Sequence, residues 1–154
     1  MIRFFIVSLF FTLSLFASTL SNGDSFPLDI KLQDQFEKPY SIEGKEIIVF
    51  SADKDSGKFA HNVIDAYPSE TLEEKKIAYI SDMSSVPSLI YSFFMESKFQ
   101  KYDYKLGLIW EEDDAAKLPK KENQATLFKL DGKTIEEIVY FKDEDSLKAY
   151  IDSH

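Results

Sequence analysis

The chain has 154 residues, 27 of them Asp or Glu against 18 Lys or Arg, for a formal net charge of −9, and it contains no cysteine. That length supports one domain with a real core rather than two. An acidic balance offers no basic patch to displace counterions from nucleic acid and disfavours anionic membranes, and the lack of a thiol excludes disulfides, thiol redox chemistry and thiolate metal sites.

Met1-Ile2-Arg3 sets one positive charge ahead of an apolar run from Phe4 to Phe16, and Leu15-Phe16-Ala17 places small Ala17 where a signal peptidase would cut. The apolar run is roughly 13 residues against the ~20 that a spanning helix needs. The expectation is a signal peptide over residues 1–17, export to the periplasm or beyond, and no stable membrane insertion after cleavage. Residues 18–25 read as a polar linker and 26–154 as a single domain.

After Phe26-Pro27, Leu28, Ile30 and Leu32 alternate with Asp29, Lys31 and Gln33, which is the period of a half-buried strand. Asp34 to Pro39 interrupts it and Tyr40-Ser41-Ile42 resumes an extended path, so an N-terminal β-hairpin is expected. Ile47-Ile48-Val49-Phe50 shows no alternation, as in a central strand covered on both faces. Asp53 or Asp55 then caps a helix reaching about Tyr67, with Phe59, Val63, Ile64 and Tyr67 inward, and Pro68 ends it. Polar Ser69 to Lys75 leads to a second central strand, Lys76 to Asp82.

A second helix is predicted from Ser84-Ser85-Val86-Pro87, with Val86, Leu89, Ile90, Phe93 and Phe94 at i, i+3, i+4, i+7 and i+8 as its apolar stripe and Met95 to Tyr102 leaving it. Lys105 to Trp110 is a third strand-length run, and Glu111 to Asn123 reads as a loop holding a short helix. Ala125 to Leu130 meets Lys133-Thr134-Ile135 across Asp131-Gly132 in a tight hairpin, Glu136-Glu137 marks a bulge, and Asp143 caps a last helix with Leu147, Tyr150 and Ile151 inward. Strands alternating with helices imply parallel pairing through right-handed crossovers, with the closing hairpin adding an antiparallel edge.

This pattern resembles the thioredoxin-like superfamily, in particular its exported peroxiredoxin and thiol–disulfide branch. The likeness is carried by Phe26-Pro27 leading into Leu32-Gln33-Asp34-Gln35, by Ile47 to Ser51 ahead of a helix, by Ala125 to Leu130, and by Asp131-Gly132-Lys133-Thr134-Ile135. It implies an α/β three-layer sandwich: a central mixed sheet with an N-terminal β-hairpin and a closing antiparallel hairpin. The resemblance also implies a catalytic Cys at the start of the first helix and a cis-proline before the strand at Thr126-Leu127-Phe128. Here Asp55 to Lys58 contains no Cys, and Gln124-Ala125 stands at the proline position. A redox-inactive member is therefore implied.

Candidate sites follow from position. Asp53, Asp55 and Asp82 fall at the carboxyl ends of neighbouring strands, where α/β sheets place ligands, and are candidates for an acidic small-ligand or cation pocket. Asp53-Lys54-Asp55-Ser56-Gly57 is no EF-hand, because the twelfth position from Asp53 is Ile64. Two histidines, His61 and His154, with no cysteine leave too few donors for zinc, and a relay from Ser51 or Ser56 through His61 to Asp82 lacks a nucleophile elbow. Tyr91, Phe99 and Tyr102, off the predicted apolar stripe, are candidates for an exposed partner-binding patch. The expected function is non-catalytic protein–protein interaction with an unknown envelope protein, without cofactor or metal. The alternative is a small-ligand or divalent-cation-dependent protein using the acidic pocket.

Overall fold

The structure, a computed structural model, describes residues 19–154, so the expected signal peptide lies outside the described residues. Its centre is a five-stranded mixed sheet of order β3-β2-β1-β4-β5. β1 (Ile47–Ser51) runs parallel to β2 (Ile77–Asp82), which runs parallel to β3 (Gly107–Ile109); β4 (Ala125–Asp131) is antiparallel to β1 and to β5 (Thr134–Phe141). Every residue of β1 and β2 is buried, which is why their sequences are apolar without alternation.

One face carries α1 (Lys54–Asp65) and α6 (Glu144–Asp152), whose Ala60, Val63, Ile64, Leu147 and Ile151 pack on Ile47, Val49 and Leu127. The other is covered by Phe26, Ile30, Leu32 and Ile42 and by Ala115 and Leu118, around α5 (Glu112–Ala115), over Ile48, Phe50, Ile80 and Phe128. The thioredoxin-like three-layer arrangement with its closing hairpin is thus present.

Several local expectations shift. The N-terminal hairpin forms only isolated bridges, Gln33 with Pro39 and with Leu108, while its apolar residues still alternate inward. Part of the expected linker is docked: Gly23 and Phe26 donate to Ile135 and Lys133 carbonyls, and Ile135 donates back to Asp24. In the closing hairpin Asp131 pairs with Thr134, so the two central residues are Gly132-Lys133 and not Asp131-Gly132. Only Gly132 of that pair has positive φ, +60°, as a type II′ turn demands. The bulge falls where Lys129 pairs with Glu137 but Leu130 with Ile135, leaving Glu136 extra. Ser69 to Lys75, read as merely polar, contains α2 (Ser69–Glu74), which buries Leu72.

The largest departure is the second helix. It comprises α3 (Ser88–Ile90), a π-turn (Tyr91–Met95) and α4 (Glu96–Phe99), so it runs past the predicted end. In an unbroken α-helix, side chains eight residues apart stand about 80° from each other. The extra residue held in a π-turn brings Tyr91 and Phe99 onto one face, and both are buried. Leu89, Ile90, Phe93 and Phe94, the predicted inward stripe, consequently face outward; only Val86 of that stripe packs against the core.

Candidate functional site

Asp53, at the carboxyl end of β1, has extended backbone and caps α1 by accepting the Ser56 N–H at 2.8 Å. Its second oxygen accepts the Asn123 N–H, also at 2.8 Å. Burial alone would raise this carboxyl, but the N–H and hydroxyl of Ser56 and the Asn123 N–H outweigh it and hold it below its ordinary value. Asp82, at the end of β2, accepts from the Ser84 N–H and hydroxyl at 2.9 and 2.6 Å and meets the Lys120 ammonium at 3.4 Å. Asp55 is exposed in the first turn of α1.

The partners of Asp53 and Asp82 have a common source. Asn123 and Lys120 belong to the segment between α5 and β4, whose Pro119 carbonyl also accepts from the buried Thr126 hydroxyl at 3.0 Å. This segment is tied down across the carboxyl ends of β1 and β2. Beneath it the Ser51 hydroxyl lies 2.8 Å from the Tyr79 hydroxyl and 3.2 Å from that of Ser81, and Tyr79 reaches the Gly57 carbonyl at 3.3 Å. Burial pushes the Tyr79 phenol up to about 12, so it stays a neutral hydrogen-bonding group. Among the described residues no buried side-chain polar atom lacks a partner, and no group of three or more His, Asp or Glu is gathered to hold a metal. In place of the expected acidic pocket Asp53 and Asp82 each bond their own loop backbone and are covered, while Asp55 stands exposed.

The imagined relay does not assemble either. Ser51 bonds Tyr79, while His61 Nδ1 shares a 2.7 Å hydrogen bond with the Tyr104 hydroxyl and its ring stacks on Tyr102 at 4.0 Å between centroids. Burial lowers the His61 pKa, with Asp65 opposing and Lys98 adding to the shift. A cavity of about 550 Å³ does exist, but at the opposite end of the sheet, between Tyr40, Lys45, Leu72, Glu73 and Tyr104, with the Lys45–Glu73 ion pair of 2.9 Å in its lining.

The aromatic candidates are placed inward. Tyr91 and Phe99 are buried and Tyr102 half-buried; Trp110 stands edge-on to Tyr91 at 4.8 Å, and Phe99 lies 5.9 Å from Tyr91 and 5.5 Å from Tyr102. They form the floor of the helix rather than its exposed surface. That surface consists of Leu89, Ile90, Phe93 and Phe94, which are 70, 46, 76 and 72% exposed. A residue that sequence reading passed over fixes this orientation. Buried Gln35 donates to the carbonyls of Phe99 and Tyr104 at 3.2 and 2.8 Å and accepts the Leu106 N–H at 3.0 Å, stapling the helix exit to the start of β3. The competing stripe Tyr91, Met95, Phe99, visible in the sequence at four-residue spacing, was the available signal for the inward face.

No protein-family model and no curated protein matches this chain. Solved structures do. A peroxiredoxin-like protein from Aquifex aeolicus aligns at 10% identity over 88% of each chain with a TM-score of 0.57. The thiol peroxidase of Chromobacterium violaceum aligns at 12% identity over 88% of each chain with a TM-score of 0.52. The Xanthomonas campestris bacterioferritin comigratory protein, described with alkyl peroxide reduction activity, aligns at 15% identity over 89% of this chain and 99% of its own with a TM-score of 0.53. At these identities the likeness establishes the fold alone: the chain has a thioredoxin-like fold and no cysteine.

Proposed function

We propose that this chain is an exported, non-catalytic thioredoxin-like domain that acts by binding another protein of the cell envelope. The observation that carries the reading is the closed carboxyl end of β1 and β2. No thiol is present, the hydroxyls of Ser51, Tyr79 and Ser81 bond one another, and Asp53 and Asp82 are committed to the covering segment. What a peroxidase uses as a reaction site is here a structural joint. Export is supported by Arg3 followed by the apolar run to Phe16 and the small Ala17, and among the described residues no helix is long and apolar enough to cross a membrane.

Affinity capture from envelope extracts with the tagged protein is expected to recover a reproducible protein partner; a tightly bound small molecule with no such partner would count against the reading. The cation alternative is checked by thermal melting. Because ligands that bind only the native state raise stability, the melting temperature is expected not to move with Ca²⁺, Mg²⁺ or Mn²⁺, and a saturable rise with any of them would overturn the non-catalytic assignment of Asp53 and Asp82.

A further inference from the structure

We propose that the cleft at the amino ends of β1 and β2 binds a small organic monocarboxylate with an apolar body, whose carboxylate takes the place of Glu73 on the Lys45 ammonium. This site requires neither export nor a protein partner, so it stands or falls independently of the partner-binding role. It lies at the end of the sheet opposite the closed joint of Ser51, Tyr79 and Ser81. Its volume is about 550 Å³. Small-molecule sites occupy roughly 300–1,000 Å³. Three segments converge on it: the chain entering β1, α2, and the chain entering β3.

Charge is unevenly placed in this cleft. The Lys45 side chain is only 13% exposed, yet its one ion-pair and hydrogen-bond partner among the described residues is Glu73, at 2.9 Å, whose side chain is 76% exposed. An ammonium has three N–H donors, so Lys45 retains donors that no described acceptor takes up. A cation withdrawn from water needs an anion beside it, and the one supplied is a surface carboxylate on a short helix. Leu72, the preceding residue, is buried and anchors α2, so Glu73 can turn into water without moving the wall. The exchange costs little, because an exposed carboxylate gives up little in leaving and Lys45 keeps a counter-charge.

The rest of the lining suits an apolar body. Ile64, Leu72 and Ile77 are its buried aliphatic side chains, and Tyr40 and Tyr104 supply aromatic walls. Both rings are fixed from behind. Tyr104 shares its 2.7 Å hydrogen bond with His61 and stacks on Tyr102 at 5.3 Å. Tyr40 lies on Gly107, where a Cβ would stand 2.7 Å from its Cδ1, so the glycine opening β3 makes room for the ring. Preorganised walls lose little freedom on binding.

Tyr40 also offers a donor. Its hydroxyl has no hydrogen-bond partner among the described residues, where no sealed side-chain polar atom lacks one, so it is open to solvent on a residue that lines the cleft. Burial and then the charge of Glu73 push this phenol well above its ordinary pKa, which keeps its proton available. Of the other charges in the lining, Lys105 is paired with Asp34 at 3.8 Å, whereas Glu43 and Asp103 stand exposed without an ion pair among the described residues. Those two carboxylates disfavour phosphates and dicarboxylates, which leaves a single carboxylate as the anion the cleft accommodates.

The probe is hydrocinnamate, with hydrocinnamyl alcohol and phenylpropylamine as its uncharged and cationic counterparts, each titrated into the isotope-labelled protein and followed by amide NMR shifts. Hydrocinnamate is expected to give saturable shifts at Lys45, Leu72, Glu73 and Lys105, and the other two to bind at least ~10-fold more weakly. Lys45→Met should lose at least ~10-fold in affinity, and Tyr40→Phe about 2–10-fold. Glu73→Gln should act in the opposite direction and bind hydrocinnamate about 2–5-fold more tightly, because it removes the competing carboxylate. A cation site would weaken in that variant, and a merely structural ion pair would leave binding unmoved.

No saturable shifts, shifts confined to residues outside the cleft, or alcohol or amine binding as tightly as the carboxylate would overturn the proposal. So would unchanged binding in Lys45→Met, or weaker or unchanged binding in Glu73→Gln. Glu73 is exposed, so its variant is expected to fold, and it decides the question by itself if Lys45→Met does not.

Discussion

The carboxyl end of β1 and β2 and the outer face of the second helix differ in where their side chains find partners. At the strand ends every polar group is satisfied internally: Ser51 by Tyr79 and Ser81, Asp53 by Ser56 and Asn123, Asp82 by Ser84 and Lys120. On the helix, Leu89, Ile90, Phe93 and Phe94 stand largely exposed among the described residues. The carboxyl ends of β1 and β2 are internal structure, and the exposed apolar surface lies on the helix that leads to the edge strand β3. The functional question therefore shifts from what reacts at β1 to what covers the helix.

Substitutions of unequal effect can break this contrast. The largest is expected at Tyr79, where Tyr79→Ala would leave a cavity beside Ser51 and cost about 3–5 kcal/mol, measured by urea unfolding. Tyr79→Phe, which removes only the hydroxyl, should cost about 1–2 kcal/mol. Equal and negligible losses from both would mean that the strand ends are not the closed structural joint described above. Next comes Gln35→Leu, which strands the Leu106 N–H and the Tyr104 carbonyl, while the Phe99 carbonyl keeps the Tyr102 N–H; a loss of about 1–3 kcal/mol is expected, with altered Trp110 emission as the helix floor loosens.

Asp53→Ala should cost about 1 kcal/mol through the lost cap, and the loss should depend on pH. The folded-state pKa of Asp53 lies below its ordinary value of 3.8, so its contribution is complete above that value and disappears as pH falls through the lower, folded one. Wild type and Asp53→Ala should accordingly converge in stability below about pH 4, and a constant difference down to strong acid would contradict the capping role. The smallest effect is expected on the presented face. Phe93→Ser should change stability by no more than about 0.5 kcal/mol, and a loss of several times that would show the side chain to be buried after all.

The strands were legible because their signals are local. β1 and β2 are unbroken apolar runs, the closing hairpin holds its glycine turn and its bulge, and Asp143 and Asp53 stand where caps belong. What sequence reading missed depends on contacts between distant residues. Gln35 looked like part of a polar turn, and only its position beside Phe99, Tyr104 and Leu106 reveals its use. Asp53 and Asp82 were correctly placed at neighbouring strand ends, but nothing near them in sequence announced that Lys120 and Asn123 would close over them. The second helix failed for a geometric reason. Two stripes competed, Leu89-Ile90-Phe93-Phe94 and Tyr91-Met95-Phe99, and 3.6-residue periodicity favoured the first although the backbone does not keep that period.

The π-turn at Tyr91–Met95 also determines where the helix could lose a residue without exchanging inside for outside. A substitution alters one side chain and leaves the others where they are. Deleting a single residue there would remove the π-turn and leave seven ordinary helical steps from Tyr91 to Phe99, about 700° or within ~20° of two full turns, so Phe99 would keep its seat between Tyr91 and Tyr102. The π-turn is therefore the place where this helix can lose a residue with the least disturbance, and a one-residue deletion within Tyr91–Met95 is expected to disturb the inward face less than the same deletion beyond Phe99, where Gln35 has fixed the chain.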